Sequence, residues 1–215
     1  MQPKIKPVTF AARGDPAIRL EGMFHYLDGS GQWPVAVVCH PHPLGGGTMH
    51  NPVVTAIARA LVSRGILTLR FNFRGVGSSQ GRHDGGLGER DDVAGALDWL
   101  LDQPQVDAWR ISLAGYSFGA GVGLAQAEQD PRVTAVAAVG LVAGKQETDF
   151  LAAFTRPKLF VTGEHDDLAP AADLRRLVDR LPPPKTLHVV PGIDHFWHGH
   201  EHQVAGLVAD FFAAL

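Results

Sequence analysis

The chain has 215 residues, 45% of them hydrophobic and 19% charged, which suits one globular domain, 1–215, with a core of its own. A net charge of −3 carries no basic footprint for nucleic acid, and no stretch nears the roughly 18 apolar residues of a membrane-spanning helix. The single cysteine, Cys39, excludes an intramolecular disulfide and suits a reducing compartment. Residues 1–10 carry two lysines and two prolines but no apolar core of signal type, so the expected location is the cytoplasm.

In chain order, Val8–Ala12 and Leu20–Leu27 read as strands of a hairpin turning at Gly14-Asp15-Pro16. Arg13-Gly14-Asp15 spells an adhesion tripeptide, but its residues also suit a polar turn, which is the reading adopted. Val35–Cys39 is an unbroken apolar run, the mark of a strand buried on both faces of a parallel sheet. His40-Pro41-His42-Pro43-Leu44 and three glycines follow. Asn51 then suits an N-cap and Pro52 the first position of a helix that runs to Arg64 and stops at Gly65.

Ile66–Phe71 is the next buried strand, followed by a long glycine-rich loop from Arg74 to Gly88. Val93, Ala96, Leu97 and Leu100 give the following helix its apolar face. A strand at Ile111–Ala114 leads into Gly115-Tyr116-Ser117-Phe118-Gly119 and a helix of small residues. Strands at Val133–Val142, Lys158–Thr162 and Leu187–Val190 alternate with helices around Leu174–Leu181 and Val204–Phe212. This alternation predicts a mostly parallel sheet covered on both faces.

Ligands of open α/β sheets bind beyond the carboxyl ends of the strands, so the polar residues found there locate the site. The serine pentapeptide follows one strand. Gly163-Glu164-His165-Asp166-Asp167 follows a later one, and Gly192-Ile193-Asp194-His195-Phe196 follows the last. The order serine, acid, histidine on three strand ends fits a nucleophile elbow with its triad partners. Ser117 is the expected nucleophile, His195 its base, and an acid in the 164–167 turn the group that orients the imidazole. Asp194 adjoins His195 in sequence, which is a poor geometry for pairing. One oxyanion donor is expected from the N–H of Phe118. Pro41 and Pro43 have no N–H, so His40, His42 and Leu44 are the nearest second donors.

The motifs together make the chain similar to the α/β-hydrolase superfamily over nearly its full length. It most resembles small bacterial hydrolases with a His-Pro-His-Pro loop after the third strand. The resemblance implies an α/β-hydrolase fold with an eight-stranded, mostly parallel sheet, and hydrolysis through a serine. It also implies a floor role for Arg74-Gly75. The family spacing Gly-x-x-Asp selects Asp166 over Asp167, and the family's donor position selects His42. Pro41 stands where the family usually has glycine, which leaves Leu44 open as the donor.

A cap domain of this superfamily commonly enters between the strands ending near Val142 and starting at Lys158. About fifteen residues separate them here, too few for a cap. The expected site is therefore lidless, open and shallow, and the expected activity is hydrolysis of carboxylic esters with short acyl chains. A thioesterase or peptidase would use the same triad, and a silent α/β-hydrolase-fold binding protein is the rival from another class. No cofactor or metal is expected. Clustered histidines at 195, 198, 200 and 202 have few carboxylate partners nearby, and the glycine loops lack the Gly-Lys-Ser/Thr of a phosphate loop. The expected partner is a small ester-type molecule, with neither nucleic acid nor membrane; oligomeric state is not legible.

Overall fold

A computed structural model describes residues 2–144 and 148–215. Residues 145–147, inside the connection read as too short for a cap, lie outside the described residues. Strands β1 (Pro3–Ala12) and β2 (Asp15–Leu27) form the antiparallel hairpin, longer on both sides of the turn than its apolar residues indicate. The remaining elements are β3 (Trp33–Cys39), α1 (Pro52–Ser63), β4 (Leu67–Phe71), α2 (Leu87–Leu101), β5 (Val106–Tyr116), α3 (Phe118–Gln129), β6 (Val133–Val139), β7 (Lys158–Gly163), α4 (Ala171–Asp179), β8 (Lys185–Val190) and α5 (Glu201–Ala213). One eight-stranded sheet results, in the order β1-β2-β4-β3-β5-β6-β7-β8. Only the β1–β2 and β2–β4 pairings are antiparallel.

The unbroken apolar runs are buried on both faces, as their composition requires. Along β3, Val35, Val37 and Cys39 enter a core layer with Val93, Leu97 and Leu124 of α2 and α3. Ala36 and Val38 point the other way, into a layer with Ile57 of α1 and Val208 of α5. Each fully buried valine or leucine contributes about 1.5–3 kcal/mol. Cys39 is the last residue of β3, fully buried on the α2–α3 side.

Local signals set several boundaries. Asn51 caps α1, its Oδ1 accepting from the Val53 N–H at 3.0 Å, and Pro52 opens the helix. β5 starts at Val106, earlier than its apolar run, because residues 107–110 are polar or exposed yet extend the strand. β6 stops at Val139 rather than Val142, with Gly140 at φ +58 turning the chain. Arg13 of the hairpin turn donates to Asp98 of α2 at 2.8 Å, which ties the turn to the fold. Between β6 and β7 the described residues contain one short 3-10 turn, Asp149–Ala153, and no cap. No helix among the described residues is long and apolar enough to cross a membrane.

Candidate active site

Ser117 sits between β5 and α3 with φ +55 and ψ −116, a conformation non-glycine residues rarely adopt. The flanking glycines make that turn possible. A Cβ on Gly115 would lie 2.2 Å from the Gly119 carbonyl oxygen, and one on Gly119 would lie 2.4 Å from the His40 carbonyl oxygen. The pentapeptide thus presses the serine turn against the end of β3, and no larger residue fits at either glycine.

Three strand ends converge on this serine. His195 Nε2 lies 3.0 Å from Ser117 Oγ, and His195 Nδ1 lies 2.8 and 2.9 Å from the two Asp166 oxygens. Asp166 is buried and also accepts from the Leu168 and Ala169 N–H groups, at 3.0 and 2.7 Å. A carboxylate so supplied with donors is fixed in its orientation. The imidazole between it and the serine is fixed with Nδ1 as donor and Nε2 as acceptor. Asp167, the neighbouring candidate, is exposed. Asp194 instead closes its own turn, accepting from the Phe196 N–H at 2.9 Å.

The His40–Gly47 loop faces α3. The Leu44 N–H donates to His42 Nδ1 at 3.2 Å, and the N–H groups of Gly45 and Gly47 both donate to the His42 carbonyl. With Leu44 so occupied, His42 is the better candidate for the second donor. The His42 and Phe118 rings touch, with centroids 4.9 Å apart, and His83 packs on both, at 5.0 Å from His42 and 5.5 Å from Phe118. His83 is held in turn by Glu89, which is fully buried and lies 2.7 Å from its Nδ1. His198, His200 and His202 are exposed around the start of α5, and no metal-like cluster of three His, Cys, Asp or Glu occurs among the described residues.

Several supporting contacts escape a reading of motifs. Tyr116 donates its hydroxyl to the His195 carbonyl at 2.6 Å, joining the elbow to the histidine loop. Arg74 and the buried Asp92 form a forked pair, with Nε and Nη2 donating to one oxygen at 3.0 and 2.8 Å, while the Arg74 backbone N–H donates to the other at 2.8 Å. This clamp fixes the start of the loop that carries His83. Asp92→Ala is expected to destabilise the protein by about 3–5 kcal/mol, because it strands a largely buried guanidinium. Denaturant titration measures this, and the double change Arg74→Met with Asp92→Leu should recover much of the loss. Equal stability of Asp92→Ala and wild type would contradict the clamp.

Beside Ser117 opens a cavity of about 630 Å³, walled by Leu87, Val122, Ala125, Val142 and Leu168, with Arg90 among them. Of its walls, Leu87 and Leu168 are exposed apolar side chains. Its lining comes from α2, α3 and the loops that carry His42, Val142 and Leu168, so the cavity forms without a cap.

Residues 27–180 match the family model described as X-Pro dipeptidyl-peptidase (S15 family). An uncharacterised protein of Rickettsia prowazekii is 33% identical over 208 residues, covering 93% of this chain and 87% of the relative. Among solved structures, a Xanthomonas campestris α/β serine hydrolase without a lid is 31% identical with a TM-score of 0.85, covering 97% of this chain and 93% of its own. An α/β serine hydrolase homologue from Coxiella burnetii is 35% identical with a TM-score of 0.82, covering 95% and 96%.

Proposed function

The chain belongs to the X-Pro dipeptidyl-peptidase (S15) family of α/β serine hydrolases, and we propose that it hydrolyses carboxylic esters through an acyl-enzyme on Ser117. What carries the reading is the unbroken chain from Asp166 through His195 to Ser117, opening onto an apolar cavity. Ser117 Oγ attacks the ester carbonyl as its proton passes to His195 Nε2. Asp166 steadies the imidazolium so formed. The negative oxygen that develops is met by the N–H groups of Phe118 and His42, each such donor being worth about 3–4 kcal/mol. Collapse expels the alcohol, which takes the proton from His195. Water then repeats the sequence on the acyl-enzyme and releases the acid.

The cavity favours esters over the dipeptide substrates of the family's name. A dipeptidyl substrate brings a free α-ammonium close to the scissile bond, and a cation taken out of water needs an anionic partner. No carboxylate lines the cavity among the described residues. Short acyl chains are the favoured group, and the cavity beside Ser117 has room for them. The substrate is a small ester-type molecule, and a cytoplasmic location belongs to the same proposal.

A fluorophosphonate probe is expected to label the wild type at Ser117 and to leave Ser117→Ala unlabelled. Activated esters are expected to turn over faster than an Xaa-Pro anilide. Absence of labelling, or a preference for the anilide, would overturn the reading.

A further inference from the structure

Three segments far apart in sequence meet beside Ser117 through their rings. His42 lies in the loop after β3, His83 in the glycine-rich loop after β4, and Phe118 opens α3 directly after the nucleophile. The centroids are 4.9 Å apart for His42 and Phe118, 5.0 Å for His42 and His83, and 5.5 Å for His83 and Phe118, all within the contact range of aromatic pairs. Phe73 meets the Phe118 ring edge-on at 5.8 Å. The His83 corner of this cluster has a polar anchor. Its Nδ1 donates to Glu89 Oε1 at 2.7 Å, and the same carboxylate accepts from the Asp84 N–H at 3.1 Å and the Gly86 N–H at 2.8 Å. Glu89 is fully buried in the first turn of α2, and with these three donors on it the carboxylate is fixed. The His83 ring is therefore tied to a helix on one side and rests on His42 and Phe118 on the other.

We propose that His83 is a positioning residue for the hydrolysis: its ring, aimed by Glu89, seats the His42 loop against the start of α3. This rests on the reading above, in which the N–H groups of His42 and Phe118 meet the negative oxygen. The His42 loop is braced within itself. The Leu44 N–H donates to His42 Nδ1 at 3.2 Å, and the N–H groups of Gly45 and Gly47 donate to the His42 carbonyl, both at 3.0 Å. A loop so braced moves as one piece, so a shift of the His42 ring carries its backbone N–H along. A displacement of about 1 Å at a catalytic group is enough to cost on the order of 100-fold in rate. The bonds among Ser117, His195 and Asp166 do not involve His83. Loss of the His83 ring therefore acts on the donors to the oxyanion and leaves the nucleophile with its base.

The test measures kcat and KM of His83→Ala, His83→Phe and His83→Gln on an activated short-chain ester, per active site counted by complete fluorophosphonate labelling. His83→Ala is expected to lose about 10- to 100-fold in kcat with KM within about threefold of wild type, the signature of an interaction used in the transition state. His83→Phe restores the ring without the bond to Glu89 and should return to within about fivefold of wild type. His83→Gln keeps a donor for Glu89 without a ring and should stay as slow as His83→Ala. Both the alanine and the phenylalanine variants lose the Glu89 bond and should melt below wild type, so activity that merely follows stability would make them equally slow. The rate constant of fluorophosphonate labelling should fall and recover in the same order, because attack on phosphorus also places negative charge on the oxyanion donors. A kcat of His83→Ala within about threefold of wild type, a loss in KM alone, or equally slow alanine and phenylalanine variants overturns the inference and leaves the ester reading standing. If the wild type is labelled yet hydrolyses no ester, the ester reading falls and the labelling rates decide the role of His83. Failure of the wild type to be labelled overturns both.

Discussion

Replacing Ser117 with alanine is expected to lower kcat for ester hydrolysis by about 10⁴- to 10⁶-fold. The nucleophile is then gone, while His195 and Asp166 keep their mutual bonds at 2.8 and 2.9 Å. Residual turnover would come from the oxyanion donors and from binding alone. Ser117→Gly separates catalysis from backbone strain. Serine and alanine both pay for φ +55 with ψ −116, whereas glycine does not. The glycine variant should therefore be equally inactive yet more stable than the alanine variant by about 1 kcal/mol, after allowing for the greater backbone entropy glycine loses on folding. Single-turnover assays and thermal melts check the two halves. Activity within tenfold of wild type in either variant would remove Ser117 from the chemistry.

Acidification from pH 7 to 5 is expected to cost about 4 kcal/mol of stability, through two buried histidines. Burial pushes His25 down to about 4, aided by the charges of Arg70 and Arg59, and burial likewise pushes His40 down to about 4. Both imidazoles are needed as acceptors. His40 Nε2 accepts from the Phe73 N–H at 3.1 Å while its Nδ1 donates to the Pro41 carbonyl, and His25 Nε2 accepts from Arg70 Nε at 3.0 Å. A proton on either Nε2 would point donor at donor. The unfolded chain has no such conflict and binds protons near pH 6.5. Stability from these groups is therefore fully present above that value, falls as pH drops towards 4, and levels off below. In this size range the loss at pH 5 corresponds to a fall in Tm of about 8–16 °C. Urea titrations between pH 7 and 5 should show a slope approaching two protons, reduced by about one in His25→Gln. A flat profile would contradict it. Because His40 joins the end of β3 to the loop after β4, acid should disturb the oxyanion loop as well.

That Ser117, His195 and Asp166 come together could be anticipated from the sequence, because each stands at a strand end and strand ends are marked by where apolar runs stop. Choosing Asp166 over Asp167 needed more than the residues themselves, since two adjacent carboxylates differ only in which way the turn points them. The structure turns Asp166 inward, onto the N–H groups of Leu168 and Ala169, and leaves Asp167 in solvent. The partners of Glu89 and Asp92 were hidden for a different reason. Both look like ordinary acidic residues of a helix, and only the fold of the glycine-rich loop brings His83 and Arg74 to them. Tyr116 reaches His195 across 79 positions of sequence, and no local pattern encodes that contact. The cavity was not legible because its lining comes from α2, α3 and the loops that carry His42, Val142 and Leu168, which only the fold brings together.

Cys39 gives the molecule a practical property. Its thiol is fully buried, and burial, with the charge of Asp92 behind it, pushes its pKa well up. Reagents that attack thiolates should therefore pass it by while the protein is folded. A cysteine introduced at Leu168, on the exposed rim of the cavity, would then be the one reactive thiol in the chain. A dye attached there would report acyl-chain binding in the native background, with no need to remove the natural cysteine first.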